Sequence, residues 1–292
     1  MPASPISAFG STFQNPILLA AGTAGFGREL AGVVALDALG GIVTKSVSPE
    51  PRAGNPAPRV AEFPGGMLNS VGLANPGVEA VRSVELPWLA SHLQRARVLV
   101  SVVGATVADY VRVVVRLTGE SIVTAFELNL SCPNTARGGE HFGADEGVLR
   151  DLVSRCTAAS ARPIIAKLAP TLGDVGRAAR AAAAAGATGI TVVNTMPGML
   201  YRRRGGTVAA AGRRLGAENG GASGPFLLPI GVLATRRVVD ATGLPVIGVG
   251  GVRSLEDVGQ YLDAGATLVA IGTAGLADPR LPERLARAWS RG

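Results

Sequence analysis

Short apolar runs alternate with amphipathic segments along almost the whole chain. The apolar runs predict eight strands, at Ile17–Ala21, Gly41–Ser46, Val98–Val103, Ala125–Asn129, Pro163–Leu168, Gly189–Asn194, Pro245–Val249 and Thr267–Ile271. The segments between and after them predict helices over Glu29–Leu39, Gly77–Ala90, Val107–Leu117, Glu146–Ala159, Asp174–Ala185, Leu228–Ala241, Leu255–Ala264 and Leu281–Trp289. Apolar strands that alternate with helices are typical of a parallel sheet covered by helices.

About eight such units predict an α/β fold of the (β/α)₈ or TIM barrel type. No boundary divides the chain, so we expect residues 1–292 to form one domain, with a short hairpin before Asn15 at the closed end of the barrel. The Gly- and Pro-rich excursions Pro49–Gly77 and Thr195–Gly224 follow predicted strand ends, which predicts long βα loops over the C-terminal mouth. A doubly wound sheet is the alternative. The glycine-rich segment 22–27 lacks the acidic residue that such a fold places downstream.

Composition and charge narrow the class of partner. Hydrophobic residues make up 47% of the chain and aromatic residues 4%, and the net charge is +7. The basic residues are scattered without aromatic interleaving, which argues against a nucleic-acid partner. The arginines at 202–204 and 213–214 predict a solvated loop or a docking surface for an acidic partner.

The longest uncharged stretch contains glycines and a proline, and the N-terminus lacks a signal pattern, so we expect no membrane span and a cytoplasmic location.

The use of lysine is unusual. Only Lys45 and Lys167 are lysines among 28 basic residues, and both end apolar strand-like runs. Lysine is a compact point charge, whereas arginine is a bulky planar fork. Because the chain uses arginine at its other basic positions, the two lysines indicate that an ammonium group is needed at two places in one site.

The segment 127–134 changes abruptly from an apolar run to Asn, Ser, Cys and Pro. Proline cannot continue a sheet, so Cys132 is predicted to lie on a loop at a strand end between Asn129 and Asn134. A cysteine so placed can be a proton acceptor or a nucleophile, and the alternative is a buried apolar thiol. Cys156, by contrast, lies in a helical pattern and is predicted to pack there. Two cysteines without CxxC spacing form neither a disulfide framework nor a metal site.

Glycine pairs follow the seventh and eighth predicted strands. Gly250-Gly251 and Gly272-Thr273 occupy the positions where barrel enzymes often bind phosphate through backbone N–H groups. A tight βα turn is the alternative explanation for the first pair. The occurrence of both pairs in register favours phosphate binding.

The loop Asn-Leu-Ser-Cys-Pro-Asn at 129–134, followed by Gly138-Gly139-Glu140-His141-Phe142-Gly143, resembles the active-site loop of class 1 dihydroorotate dehydrogenases, especially the 1B subgroup. Class 2 relatives have serine in the position of Cys132. The resemblance extends from about Asn15 to the last strand and helix. It includes Thr44-Lys45, Gly54-Asn55-Pro56, Pro58-Arg59, Asn69, Gly72-Leu73, Asn75-Pro76 and Gly224-Pro225.

The resemblance implies an FMN site at the barrel mouth and a substrate, dihydroorotate or orotate, lying on the flavin. The positions matching FMN contacts are Ala21, Gly22, Lys45, Ser46, Ser101, Asn129, Lys167, Val193, Gly224, Gly250, Gly251, Gly272 and Thr273. The positions matching substrate contacts are Lys45, Asn69, Ser70, Val71, Gly72, Leu73, Asn129, Asn134, Asn194 and Thr195. Ser101 replaces an asparagine of the relatives and Ala21 a common serine, which weakens the case for those two contacts.

The implied chemistry is oxidation of dihydroorotate to orotate in pyrimidine biosynthesis. Cys132 would remove a proton as general base while the flavin takes a hydride, and Lys167 would stabilise charge on the reduced ring. The 1B resemblance also implies a separate subunit with FAD and a [2Fe–2S] cluster that passes electrons to NAD, and a homodimer or heterotetramer. No metal site is expected on this chain.

Three other functions remain open from the sequence. A dihydropyrimidine dehydrogenase-like enzyme shares a cysteine loop of this kind but usually has histidine in the position of Asn134. A non-catalytic flavin-binding subunit would not need the cysteine, the asparagines and both lysines together. A phosphosugar isomerase barrel would bind no flavin.

Overall fold

Eight parallel strands close into a barrel in chain order, which confirms the predicted (β/α)₈ fold. The computed structural model describes residues 5–131, 133–134, 140–203 and 210–291. The barrel strands, called the first to the eighth, are Ile17–Leu19, Gly41–Val43, Arg97–Val102, Val123–Asn129, Ile164–Lys167, Gly189–Val192, Val246–Val249 and Leu268–Ile271. Each predicted strand is present, so the apolar runs identified the barrel correctly.

Helices cover the outside of the barrel. They are Val78–Ala80, Leu86–His92, Val107–Leu117, Glu146–Ala159, Val175–Ala184, Leu227–Thr242, Leu255–Asp263, Thr273–Ala277 and Leu281–Trp289, and a π-helical turn, Val81–Glu85, joins the first two. Capping boxes fix two of the starts: Thr106 pairs reciprocally with Asp109, and Ser254 with Asp257. In the part of the chain that the structure describes, no helix is long and apolar enough to cross a bilayer.

The helix predicted over Glu29–Leu39 was wrong. The structure has consecutive turns there, ending in the 3₁₀ helix Leu36–Ala38. Gly32, Val33 and Val34 are poor helix formers, and the Glu29 carboxylate folds back to accept a hydrogen bond from the Phe26 backbone N–H (3.2 Å). The burial of Val34, Leu36 and Leu39 gives a spacing like that of the apolar face of a helix, although no helix forms there. The short helix Thr273–Ala277 was not predicted.

A hairpin closes the N-terminal end of the barrel, as the sequence predicted. Ile6–Ala8 pairs antiparallel with Ser11–Phe13. Phe9 and Phe13 are buried with the side chains that fill the barrel interior. Phe9 lies against Gly189, where an added Cβ would be 2.3 Å from the phenyl ring. The open end is therefore the C-terminal mouth.

An antiparallel sheet, here called the mouth sheet, lies in the two excursions predicted as loops. Its strand order is Met196–Gly198, Gly220–Ser223, Gly66–Asn69 and Val60–Phe63. A further hairpin pairs Tyr201–Arg203 with Ala210–Arg213. The mouth sheet joins segments from two distant parts of the chain, with Asn69 opposite Gly221. The excursions thus lie where the sequence predicted them, but they contain strands.

Candidate flavin and substrate site

A cavity of about 690 Å³ opens at the C-terminal mouth of the barrel, within the range of cofactor sites. Twelve residues with predicted site roles line it: Ala21, Gly22, Asn69, Lys167, Val193, Asn194, Thr195, Gly224, Gly250, Gly251, Gly272 and Thr273. Val60, Phe63, Met67 and Ser223 from the mouth sheet also line it. The structure therefore brings together residues from five barrel strand ends and the mouth sheet.

Lys167 ends the fifth barrel strand and reaches the cavity from the barrel interior. Its ammonium lies 3.3 Å from the Glu127 carboxylate, and both side chains are almost fully buried. The second carboxylate oxygen of Glu127 accepts a hydrogen bond from the Thr191 hydroxyl at 2.9 Å. Glu127 on the fourth barrel strand therefore holds the ammonium, and Thr191 on the sixth strand orients the carboxylate.

Lys45 follows the second barrel strand beside Gly22. A Cβ added to Gly22 would lie 3.8 Å from the Lys45 ammonium. Burial lowers the pKa of Lys45 from its ordinary value, and the positive charge of Arg59 lowers it further. Arg59 is itself fixed by hydrogen bonds to the carbonyl oxygens of Asn55 (2.7 Å) and Ala53 (2.8 Å). An anionic ligand would relieve both effects, which makes Lys45 suited to a carboxylate.

Asparagine side chains form a connected group beside the cavity. The Asn194 amide donates to the Asn129 side-chain oxygen (3.2 Å), and the Asn194 oxygen accepts from the Thr195 backbone N–H (2.8 Å). The Tyr110 hydroxyl donates to the Asn129 backbone carbonyl (2.7 Å). From the mouth sheet, Asn69 donates to the Gly221 carbonyl (3.1 Å). Paired amides of this kind match a ligand with ring N–H and C=O groups.

The segment 70–73 directly follows Asn69 of the mouth sheet and is held by two asparagines. The Asn55 amide donates to the carbonyl and the hydroxyl of Ser70, and the Asn75 amide donates to the Leu73 carbonyl (2.8 Å). Gly72 and Leu73 have positive φ angles of 70° and 59°. Ser70, Val71, Gly72 and Leu73 are not among the residues that line the cavity, and neither are Lys45 and Asn129. The predicted substrate and flavin roles remain predictions.

The glycine turns after the seventh and eighth strands are suited to an anion. Gly251 has a φ of 77°, and a Cβ there would lie 2.5 Å from the Leu228 backbone nitrogen, so glycine is required. Within the described residues, the backbone N–H groups of Gly251 and Thr273 have no acceptor in the protein. The Thr273 hydroxyl donates to Ser223 at 2.7 Å. Unpaired N–H groups beside glycines are the arrangement that binds phosphate.

The sequence model of the dihydroorotate dehydrogenase family matches residues 5–289. The chain belongs to the dihydroorotate dehydrogenase family. It is 43% identical over 276 residues to "Dihydroorotate dehydrogenase B (NAD(+)), catalytic subunit" of Cutibacterium acnes, covering 94% of this chain and 88% of that protein. Proteins with the same name from Bacillus cytotoxicus and Bacillus thuringiensis are each 42% identical over 270 residues, covering 92% of this chain and 85% of each relative. These relatives confirm the resemblance to the 1B subgroup.

The cysteine loop of this dihydroorotate dehydrogenase family member is only partly described. Cys132 lies outside the described residues, and of Asn134 only the backbone is described, in a short strand paired with Glu140–His141. The base of the loop is defined, since the Gly143 N–H donates to the Leu130 carbonyl (3.0 Å). Phe142 is buried against the Tyr110 ring with centroids 5.3 Å apart. The predicted roles of Cys132 and Asn134 stay predictions.

Two predicted flavin contacts and the second cysteine lie in the interior of the protein. The hydroxyl groups of Ser46 and Ser101 pair with each other at 2.9 Å in the barrel interior. Both serines are buried and are not among the residues lining the cavity. Cys156 is buried in the helix Glu146–Ala159, as predicted, and burial raises the pKa of its thiol to about 12.

Sequence reasoning missed several residues around this family member's cavity. Glu127 was not assigned a role, although a carboxylate inside an apolar strand run is a signal of a buried polar partner. Ser223 and the mouth-sheet residues Val60, Phe63 and Met67 had no local signal, because long-range pairing brings them over the barrel. Tyr261, whose hydroxyl donates to the Gly250 carbonyl (2.7 Å), resembled an ordinary core residue in the sequence.

Proposed function

We propose that this chain oxidises dihydroorotate to orotate with FMN bound in the mouth cavity. The observation that carries the proposal is that one cavity combines unpaired backbone N–H groups at the glycine turns with a buried ammonium and two amides. A phosphate site alone would suit many barrel enzymes. The lysine and the amides of Asn69 and Asn194 add what a flavin and a pyrimidine ring require.

The residues divide into two groups in this proposal. The FMN phosphate would be held at Gly224, Gly250, Gly251, Gly272 and Thr273, where the chain turns closely enough for N–H groups to approach it. Lys167 would lie at the pyrimidine end of the flavin, where its charge stabilises developing negative charge. Ala21, Gly22 and Val193 would form apolar walls.

The substrate is an anion, so its carboxylate needs a cation and its ring needs amides. Lys45 would pair with the carboxylate, and Asn69, Asn129, Asn134, Asn194 and Thr195 would hold the ring, with the segment 70–73 behind them. Cys132 would then take a proton from one ring carbon. When bound, FMN supplies the acceptor for the hydride that leaves the neighbouring carbon.

A thiol suits this role at neutral pH. Its ordinary pKa, near 8.5, leaves a fraction of thiolate available as a base, whereas an alcohol needs additional help. The chain also has too few cysteines to ligate an iron–sulfur cluster with four thiolates, since Cys132 and Cys156 are its two cysteines. The names of the relatives include NAD(+) and the words catalytic subunit. We therefore propose a partner subunit with FAD and a [2Fe–2S] cluster that passes the electrons to NAD.

Titration of the purified chain with FMN, followed by orotate, tests this function. The proposal expects a yellow protein whose flavin absorption shifts when orotate is added. A chain that takes up no FMN on reconstitution would contradict the flavin site. Dihydroorotate is then added without oxygen, and the proposal expects it to reduce the flavin. A chain that binds FMN, but whose flavin spectrum does not respond to orotate and whose flavin is not reduced by dihydroorotate, would contradict the proposed substrate.

A further inference from the structure

Glu127 is a charged side chain in a part of the barrel interior that is otherwise largely apolar. It lies on the fourth barrel strand, whose preceding inward-facing residue, Ala125, packs with Ile165 and Ile247 in the interior cluster. The Glu127 residue is 1% exposed. Taking a carboxylate out of water is costly unless the group is paired and hydrogen-bonded. Its presence there indicates a specific partner.

Both carboxylate oxygens of Glu127 have such partners on the next two strands. Oε1 lies 3.3 Å from the Lys167 ammonium on the fifth strand, and Oε2 accepts from the Thr191 hydroxyl at 2.9 Å on the sixth. Both partners lie on barrel strands, so neither depends on the position of a loop. The Thr191 hydrogen bond fixes the orientation of the carboxylate, and the carboxylate in turn fixes the lysine.

Lys167 lines the mouth cavity, whereas Glu127 is not among the residues that do. An ammonium has three N–H donors, and the ion pair with Glu127 accounts for one of them. Glu127 can therefore act on a ligand in the cavity only through the lysine. Glu127 therefore sets the position of the Lys167 ammonium, and the ammonium makes the contact with the ligand.

We propose that Glu127 is a positioning residue of the flavin site, which holds the Lys167 ammonium at the cavity wall for the pyrimidine end of FMN. This inference deepens the proposed function and rests on it for the identity of the ligand. The competing explanation is that the pair only fills the barrel interior. The two explanations differ in whether the effect of Glu127 requires Lys167.

A double-mutant cycle separates them. The variants of the full chain are Glu127→Gln, which keeps the shape and loses the charge, Lys167→Met, and the two together, with FMN affinity measured by quenching of flavin fluorescence. We expect Glu127→Gln alone to weaken FMN binding by roughly 10- to 150-fold, the range for losing a charge-assisted contact. In the Lys167→Met background, the same change should alter the affinity less than about twofold. Equal losses in both backgrounds would overturn the proposal.

A second readout needs no flavin and uses the scarcity of lysine in this chain. With ¹⁵N in lysine side chains, the spectrum can contain ammonium signals from two residues, Lys45 and Lys167, and Lys45→Arg assigns them. We expect a protected Lys167 ammonium signal in the wild-type apo chain, reduced in Thr191→Val and lost to exchange with water in Glu127→Gln. An unchanged signal in Glu127→Gln would overturn the positioning role.

The stability of the same variants completes the test. Lys167→Met leaves an unpaired buried carboxylate, so it should lower the Tm, and adding Glu127→Gln should restore part of the loss. The absence of any restoration would contradict the pairing. If the wild-type chain bound no FMN, the proposed function would fail, yet the ammonium signal and the Tm values would still report on the pair.

Discussion

The Tyr261 hydroxyl donates a hydrogen bond to the Gly250 carbonyl over 2.7 Å, and two glycines make room for its ring. A Cβ on Gly231 would lie 1.9 Å from the hydroxyl oxygen, and a Cβ on Gly248 would lie 2.2 Å from the ring. Tyr261 is fully buried beneath the turn that presents the Gly251 N–H. It therefore supports the Gly250-Gly251 turn of the proposed phosphate site from the protein interior.

Tyr261→Phe should weaken FMN binding while the fold is kept. A typical hydrogen bond is worth about 0.5–1.5 kcal/mol, which corresponds to a loss of roughly 2- to 10-fold in affinity. Gly248→Ala should cost more, because its Cβ displaces the ring. The measurement is fluorescence titration with FMN, and Tyr201→Phe is the control because Tyr201 is 65% exposed. Equal affinities in all four proteins would show that the turn needs no support from Tyr261.

The sequence was informative wherever a local pattern determines the structure. Apolar runs marked all eight barrel strands, and the amphipathic segments between them marked most of the covering helices. It failed at Glu29–Leu39, where buried Val34 and Leu36 imitate a helical period but Gly32 and two valines disfavour the helix. The hydrophobic period and the helix propensity disagreed there, and the structure agrees with the propensity.

The candidate site was predictable where residues end strands and unpredictable where distant segments meet. Lys167 ends a barrel strand and Asn194 and Gly250 follow closely after two others, so the fold alone places them at one mouth. Ser223 and the mouth sheet reach the cavity through pairing with a segment about 150 residues away, for which no local signal exists. The contacts of Glu127 with Lys167 and Thr191 were likewise unpredictable, because they require the fourth, fifth and sixth barrel strands to be adjacent.

Lys45 gives a pH-dependent prediction. Its lowered pKa means that the charged form is present below that pKa and is lost as the pH rises through it, at a pH below the ordinary lysine value of about 10.4. Orotate affinity should therefore fall as the pH rises through that point. Lys45→Met should bind orotate more weakly and show no such step, as measured by spectral titration at several pH values.

The same group affects stability in the opposite direction. Because the folded state disfavours the charge, the cost of burying Lys45 is fully present below its folded pKa and disappears as the pH rises to the unfolded value. Lys45→Met should therefore stabilise the apo chain most at neutral pH and least at alkaline pH. Urea denaturation at both pH values checks this, and a stabilisation independent of pH would contradict the assignment of the charge as its cause.

Cys156 should be structural and unreactive. Burial raises the pKa of its thiol to about 12, so little thiolate exists at neutral pH. Cys156→Ser should lose about 1–3 kcal/mol of stability, the usual cost of a buried hydroxyl without a partner, and retain turnover. In the native chain, a thiol reagent should modify Cys132 first and reach Cys156 only on unfolding. Peptide mapping of the modified protein identifies the site, and rapid labelling of Cys156 would be contrary to its burial.

In the proposed function, Cys132 is the base that removes a proton from dihydroorotate. Stopped-flow measurement of flavin bleaching by dihydroorotate, without oxygen, tests it most directly in the wild type, Cys132→Ser and Cys132→Ala. We predict that Cys132→Ala binds FMN and orotate but reduces its flavin about 10²- to 10⁴-fold more slowly, the usual effect of losing a positioned base. Cys132→Ser should be intermediate and should recover as the pH rises. Flavin reduction at the wild-type rate in Cys132→Ala would contradict the account and assign the base to another residue.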